Sequence, residues 1–208
     1  MAAETIPTVD LSLFFQESDE EGKKMAMEVI SQACCSMASS RLQLQHLPPK
    51  STTNQRNLGR NFLLLETENN GLTEHEDGNC ITFVFQDDAG GLEVRKDGKW
   101  IPVTPLPDTM VVNVGDVIQV LSNKKFKSAT RRVVRPKGKS RYSYAFFYSL
   151  QGDKWVEPLP QFTDEIGERL KYRGFFYKDY QELRMRNKRH PPSRPEDVIH
   201  ITHYAITS

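Results

Sequence analysis

The chain has no apolar run approaching the roughly 20 residues that carry a helix across a bilayer. Its opening, MAAETIPTVDLSLFF, lacks the positively charged start and long apolar stretch of a secretory signal, so the cytoplasm is the expected compartment. Charge of one sign is equally scarce. Lys and Arg number 28 against 27 Asp and Glu, a net charge of +1. That field is too weak to gather nucleic acid or an anionic membrane, and neither is expected as a partner. Two stretches are locally biased, the basic run Arg184 to Arg194 and the acidic run Glu17 to Glu21. Both read as solvated surface, since a short basic run without interleaved aromatics does not mark nucleic-acid binding. Cysteine is sparse: Cys34, Cys35 and Cys80 are odd in number and lack metal-ligand spacing, which excludes a disulfide framework and leaves reduced thiols. No repeat of fixed period occurs, and there is no G-x-G-x-x-G. Gly138-Lys139-Ser140 does not end a P-loop, because Val133 stands where the earlier glycine is required.

What remains is a chain of 208 residues, 38% hydrophobic and 26% charged, suited to a soluble domain with a sizeable core. A monomer acting on a small molecule is expected. Residues 1–35 form an N-terminal segment, with an apolar stretch Ile6 to Phe15 and then a helix to about Ala33. Ser18 is its N-cap, Glu21 the capping-box partner, and Met25, Ala26, Val29, Ile30 and Ala33 share one face. Residues 36–60, polar and with a Pro-Pro pair, read as a linker. From 61 to 150 the pattern is β. Strands are expected at Ile81–Gln86, Leu92–Arg95, Trp100–Val103, Met110–Val114, Val117–Leu121, Ala129–Val134 and Tyr142–Leu150. Turn signals such as Asp97-Gly98 and Gly115-Asp116 separate most of them. Seven short strands so spaced point to a sandwich, jelly roll or barrel. Residues 151–208 read as a C-terminal extension with a helix over Tyr177–Asn187.

Two residue pairs spaced i, i+2 can carry chemistry. In extended backbone such residues project to one side. His75 and Asp77 thus bring an imidazole and a carboxylate toward one metal ion, or else belong to a solvated turn. Arg141 and Ser143 set a guanidinium fork and a hydroxyl side by side, as a carboxylate site does, or form the polar face of an ordinary strand.

The surrounding residues narrow these alternatives. Phe83-Val84-Phe85-Gln86-Asp87-Asp88-Ala89-Gly90-Gly91-Leu92-Glu93-Val94 resembles the plant-type iron(II)/2-oxoglutarate-dependent dioxygenases, the flavonol synthase-like group among them. So do Gly98 to Val103, Val112-Asn113-Val114-Gly115-Asp116, Leu121-Ser122-Asn123, Lys127-Ser128 and the opening Ile6-Pro7-Thr8-Val9-Asp10-Leu11. The resemblance is dense over residues 61–150, with H-x-D and R-x-S in the family's order. It implies a mainly β fold, the double-stranded β-helix or jelly roll, with flanking helices. It further implies Fe(II) held by two histidines and one carboxylate, with 2-oxoglutarate as co-substrate. On that resemblance His75 and Asp77 are metal ligands, and Arg141 with Ser143 anchors the distal carboxylate of 2-oxoglutarate. The implied reaction couples oxidative decarboxylation of 2-oxoglutarate to oxidation of a small organic metabolite.

The sequence departs from the family's pattern in three places. Arg131 stands at the second ligand histidine, and it has no lone pair to give a metal. His46, His190, His200 and His203 lie in the linker or tail, without the strand context to replace it. The long helical region that relatives carry between the N-terminal helix and the jelly roll is missing after Cys35. Phe62 stands where the family often has a tyrosine near the co-substrate. Two readings follow: an oxygenase with altered metal binding, or a catalytically impaired member that acts at most as a binding protein.

Overall fold

The computed structural model describes residues 5–10, 20–37, 39–43, 70–135, 137–194 and 197–207. They fall into two units. The first comprises Met1–His75, Phe83–Val112 and Thr130–Phe146, the second Glu76–Thr82, Asn113–Ala129 and Phe147–Ser208.

The strands are β1 Thr8–Asp10, β2 Ser39–Gln43, β3 Asn70–His75, β4 Ile81–Gln86, β5 Leu92–Lys96, β6 Lys99–Pro102, β7 Thr109–Val114, β8 Arg131–Val134 and β9 Ser143–Tyr148. One sheet has the order β3-β8-β5-β6 and is antiparallel throughout, entirely within the first unit. Along β5, Leu92 and Val94 are buried and the intervening Glu93 is turned outward, the alternation of a half-buried strand. Asp97 and Gly98 close the β5–β6 hairpin with φ of 48° and 77°, the positive pair of a two-residue turn matched to strand twist. A second sheet has the order β1-β2-β7-β4-β9. The core of this unit gathers Ile6, Met37, Val84, Leu92, Val94, Ile101, Val103 and Val111.

The second unit is mainly helix and turn. It contains α2 Asp116–Leu121, the paired strands β10 Trp155–Val156 and β11 Phe175–Phe176, and α3 Tyr177–Arg189. Its core is aromatic, with Tyr172, Phe175, Tyr177, Tyr180 and Tyr204 packed on Val117, Val120 and Val156.

Three expectations are corrected. Val117–Leu121 is not a strand but most of α2. Val117 and Val120, three apart, are buried on one side, a helical spacing that overrides β-branched propensity. The helix starts where it does because its first backbone donors have partners. Gly115, Asp116 and Val117 give their N–H groups to the carbonyls of Cys80 (2.8 Å), Asp77 (2.8 Å) and Asn79 (3.2 Å). Within 36–60, read as linker, Ser39–Gln43 is strand β2. It runs parallel to β1, Val9 opposite Leu42, a distant partner that polar local composition does not reveal. In the N-terminal helix, α1 Glu20–Ser36, the buried line is Gly22, Ala26 and Ala33, while Met25 and Val29 are exposed. Ser18, His46 and Phe62 lie outside the described residues.

Candidate functional site

β3 and β8 set the first half of the site. They pair antiparallel with His75 opposite Arg131, and Arg131 is also the partner of Val94 on β5. Directly opposed residues carry their side chains on one face, about 5 Å apart at Cβ. A buried guanidinium therefore stands beside the imidazole. The His75 ring is oriented by its own strand. Nδ1 lies 2.8 Å from the carbonyl oxygen of Thr73, and a carbonyl only accepts, so Nδ1 carries the hydrogen and the neutral ring has its lone pair on Nε2.

Arg141 and Ser143 are brought together as the i, i+2 spacing implies. Arg141 donates from Nη1 to Ser143 Oγ at 2.7 Å, from Nε to the carbonyl of Gly90 at 2.7 Å, and from Nη2 to Gln86 Oε1 at 3.3 Å. Three of five N–H groups are used to aim the fork, leaving one on each terminal nitrogen. Burial lowers the pKa of this guanidinium from its ordinary value, and the nearby Asp87 carboxylate works the other way. Asp87 also holds the strand start, accepting from the Tyr142 backbone N–H at 2.6 Å.

Asp77 belongs to the second unit, on a segment whose every carbonyl is engaged. Its side chain is buried, and Thr82 Oγ1 donates to Oδ2. The same hydroxyl accepts from Asn79 Nδ2 at 3.1 Å, which fixes its single hydrogen on Asp77. From helix α3, Arg184 Nη2 donates to the carbonyl of Glu76 (2.6 Å) and the Tyr177 hydroxyl to that of Gly78 (3.1 Å). The remaining carbonyls, of Asp77, Asn79 and Cys80, receive the start of α2.

Arg184 is itself aimed by Asp116, fully buried, whose Oδ2 accepts from Arg184 Nη1 at 2.9 Å and from the Tyr180 hydroxyl. Burial raises the Asp116 pKa, and Tyr180 and Arg184 draw it back. Burial first, and then the Asp116 charge, push the Tyr180 hydroxyl far above its ordinary range. Sequence reasoning missed this support. The signal was present as Tyr177, Tyr180 and Arg184 at i, i+3, i+7, one face of α3. Of the other histidines, His200 lies 3.9 Å from Glu76 and His203 meets Tyr204 edge-on, both within the second unit.

Comparison with known proteins shows the family and the fold. The family model for the 2OG-Fe(II) oxygenase superfamily matches residues 39–150. DMR6-LIKE OXYGENASE 2 of Arabidopsis thaliana is 42% identical over 113 residues, 54% of this chain and 32% of that protein. The 1-aminocyclopropane-1-carboxylate oxidase 1 of Oryza sativa subsp. japonica is 39% identical over 119 residues, covering 57% and 37%. The chain thus spans about a third of the length of these curated relatives. Among solved structures, the rice dioxygenase for auxin oxidation superposes over 97% of this chain and 100% of its own with a TM-score of 0.73 at 19% identity. That likeness shows the fold, the jelly roll implied by the sequence resemblance. JOX2 in complex with 2OG, Fe and JA is 37% identical over 55% of this chain and 34% of its own, with a TM-score of 0.51.

Proposed function

Because the chain belongs to the 2OG-Fe(II) oxygenase superfamily, we propose that it is an oxidoreductase coupling 2-oxoglutarate decarboxylation to O2-dependent oxidation of a small organic metabolite. The observation that carries this reading is the aimed Arg141–Ser143 group. A guanidinium already held by Gly90 and Gln86 has little rotamer freedom left to lose when a carboxylate docks. Arg141 takes the distal carboxylate of 2-oxoglutarate in a fork, and Ser143 donates a further hydrogen bond.

Fe(II) and 2-oxoglutarate are the cofactor and co-substrate of the family, and Fe(II) supplies the oxygen chemistry when bound. The co-substrate fits the residues present. The metal fits in part: we assign His75, through Nε2, and Asp77, turned by Thr82, as its protein donors. The position opposite His75 holds Arg131, and among the described residues no group of three His, Cys, Asp or Glu is placed to hold a metal ion. A three-donor iron centre is not what this donor set provides. This His75–Arg131 register is the observation behind a second reading, a catalytically impaired or inactive member that acts at most as a binding protein.

Cys34, Cys35 and Cys80 are free thiols, which supports the cytoplasm as the working compartment. Among the described residues no helix is long and apolar enough to cross a membrane. A near-neutral chain of this kind needs neither nucleic acid nor lipid as a partner.

Anaerobic titration of Fe(II) and 2-oxoglutarate into the protein and its Arg131→His variant, followed by succinate measurement in air, separates the readings. Both proteins bind 2-oxoglutarate, and the variant binds Fe(II) at least about tenfold more tightly, having gained a donor and lost an adjacent cation. Succinate from the unaltered chain supports the oxygenase, while succinate from the variant alone supports the impaired member. Failure of both to bind 2-oxoglutarate sinks the assignment of Arg141 and Ser143.

A further inference from the structure

Residues 197–207 form a strap on the aromatic core of the second unit, and the strap is tied on both flanks. One tie is Asn187 of α3, which donates from Nδ2 to the Ile199 carbonyl at 2.7 Å and accepts the Ile199 N–H at 3.4 Å. The other is the segment 171–173. Arg173 gives its backbone N–H to the Tyr204 carbonyl and its Nη2 to the His203 carbonyl, each at 2.9 Å, and the Lys171 carbonyl accepts the Ile206 N–H at 2.9 Å. Between these ties Ile201 and Tyr204 are buried. The Tyr204 ring centroid lies 4.0 Å from that of Phe175 and 5.9 Å from that of Tyr180, which it meets edge-on.

This packing bears on Tyr180. Its hydroxyl donates to Asp116 Oδ2, the atom that also takes Arg184 Nη1, and Arg184 Nη2 holds the Glu76 carbonyl beside Asp77. A phenol keeps its hydroxyl on a buried partner only while the ring is held at both side-chain torsions. Phe175, with its centroid at 5.5 Å, supplies one wall of that slot and Tyr204 another. A second contact is direct, since His200 on the strap stands 3.9 Å from the Glu76 carboxylate.

We infer that Tyr204 is a positioning residue for the Asp77 segment. The docked strap keeps the Tyr180 ring aimed at Asp116 and, through Arg184, keeps the Glu76 carbonyl and the adjoining Asp77 backbone in one place. Every residue in this chain of contacts belongs to the second unit. The consequence for metal binding rests on the assignment of Asp77 as a donor, whereas the positioning itself does not. Arg141 and Ser143 belong to the first unit, so the strap leaves co-substrate binding alone.

Amide hydrogen exchange on the full chain tests this without metal. Tyr204→Leu removes the ring and Tyr204→Phe keeps it. The reporters are the N–H groups of Gly115, Asp116 and Val117, bonded to the carbonyls of Cys80, Asp77 and Asn79, with the amides of β5 as internal standard. In Tyr204→Leu the reporters exchange at least about tenfold faster while β5 keeps its rates, and Tyr204→Phe exchanges as the unaltered chain does. Asn187→Ala, which unties the strap at Ile199, moves the same reporters in the same direction, and it decides should Tyr204→Leu fail to fold. Unchanged reporters in a folded variant overturn the inference. So does equal acceleration of reporters and β5, which a general loss of stability would produce. Anaerobic titration adds a second readout. Tyr204→Leu binds Fe(II) at least about tenfold more weakly, with 2-oxoglutarate affinity kept within about twofold. Where the unaltered chain takes up Fe(II), equal affinities in the two proteins also overturn the inference. Where it takes up none, Asp77 loses its role as a donor and the exchange rates alone decide the strap.

Discussion

The Thr82 hydroxyl helps to orient the buried Asp77 carboxylate. Thr82 donates its only hydrogen to Oδ2 and has no second one to offer Asn79. Thr82→Val keeps the shape of the side chain and removes that donor from a buried carboxylate. The expected cost is about 1–3 kcal/mol in urea unfolding, with weaker Fe(II) binding in the same protein. The cysteines show how much one residue's surroundings decide. Burial, and then the neighbouring Cys35, push the Cys34 thiol up to about 11, and burial raises Cys80 as well. At pH 8 about one Cys34 in a thousand is thiolate. Iodoacetamide labelling followed by peptide mass mapping should find Cys35, which is exposed, modified well before Cys34 or Cys80. Equal rates at Cys34 and Cys35 would contradict the packing of α1.

Among the elements, α2 is the one that local sequence least describes. Its apolar residues are β-branched or run together, and what makes them helical is a set of carbonyls from Asp77, Asn79 and Cys80, more than 30 residues earlier. Gly115 is required at its start because a Cβ there would lie 2.2 Å from the Asn79 carbonyl oxygen, a backbone atom that cannot swing aside. Gly115→Ala should therefore lower stability by about 1–3 kcal/mol or more in urea unfolding, and loosen the Asp77 segment with it. By contrast, β4 matches its expected bounds at both ends, because Ile81–Gln86 lies between unmistakable turn signals and its apolar residues need no distant cue. The same reasoning explains the site. His75, Asp77, Arg141 and Ser143 were legible as i, i+2 pairs. Arg184, Tyr180 and Tyr177 were not, since a side chain that supports a backbone carbonyl about 100 residues away leaves no mark at its own position.

At the scale of the whole molecule, co-substrate binding and stability are linked. A ligand that binds only the folded chain, present at 100 times its dissociation constant, adds about 2.7 kcal/mol. For a chain of this length that is a rise of about 5–10 °C in Tm. 2-Oxoglutarate should produce this shift without added metal, and Arg141→Gln should remove most of it while keeping the same Tm without ligand to within about 2 °C. A shift that persists in Arg141→Gln would move the carboxylate site elsewhere.

The supports of the Asp77 segment also impose an order on synthesis. Tyr177 and Arg184 reach Gly78 and Glu76 across 99 and 108 residues, so the ribosome releases this segment long before it releases the residues that hold it. At about 5–20 residues per second, that segment waits roughly 5–20 s for α3 to emerge. Until then two of its five carbonyls lack these donors, and loop closure over this separation is among the last steps of folding. A message cut short by a premature stop codon ahead of Arg184 would still encode His75, Asp77, Arg141 and Ser143. Its product would keep those four residues and lose the Arg184 support of the Glu76 carbonyl beside Asp77.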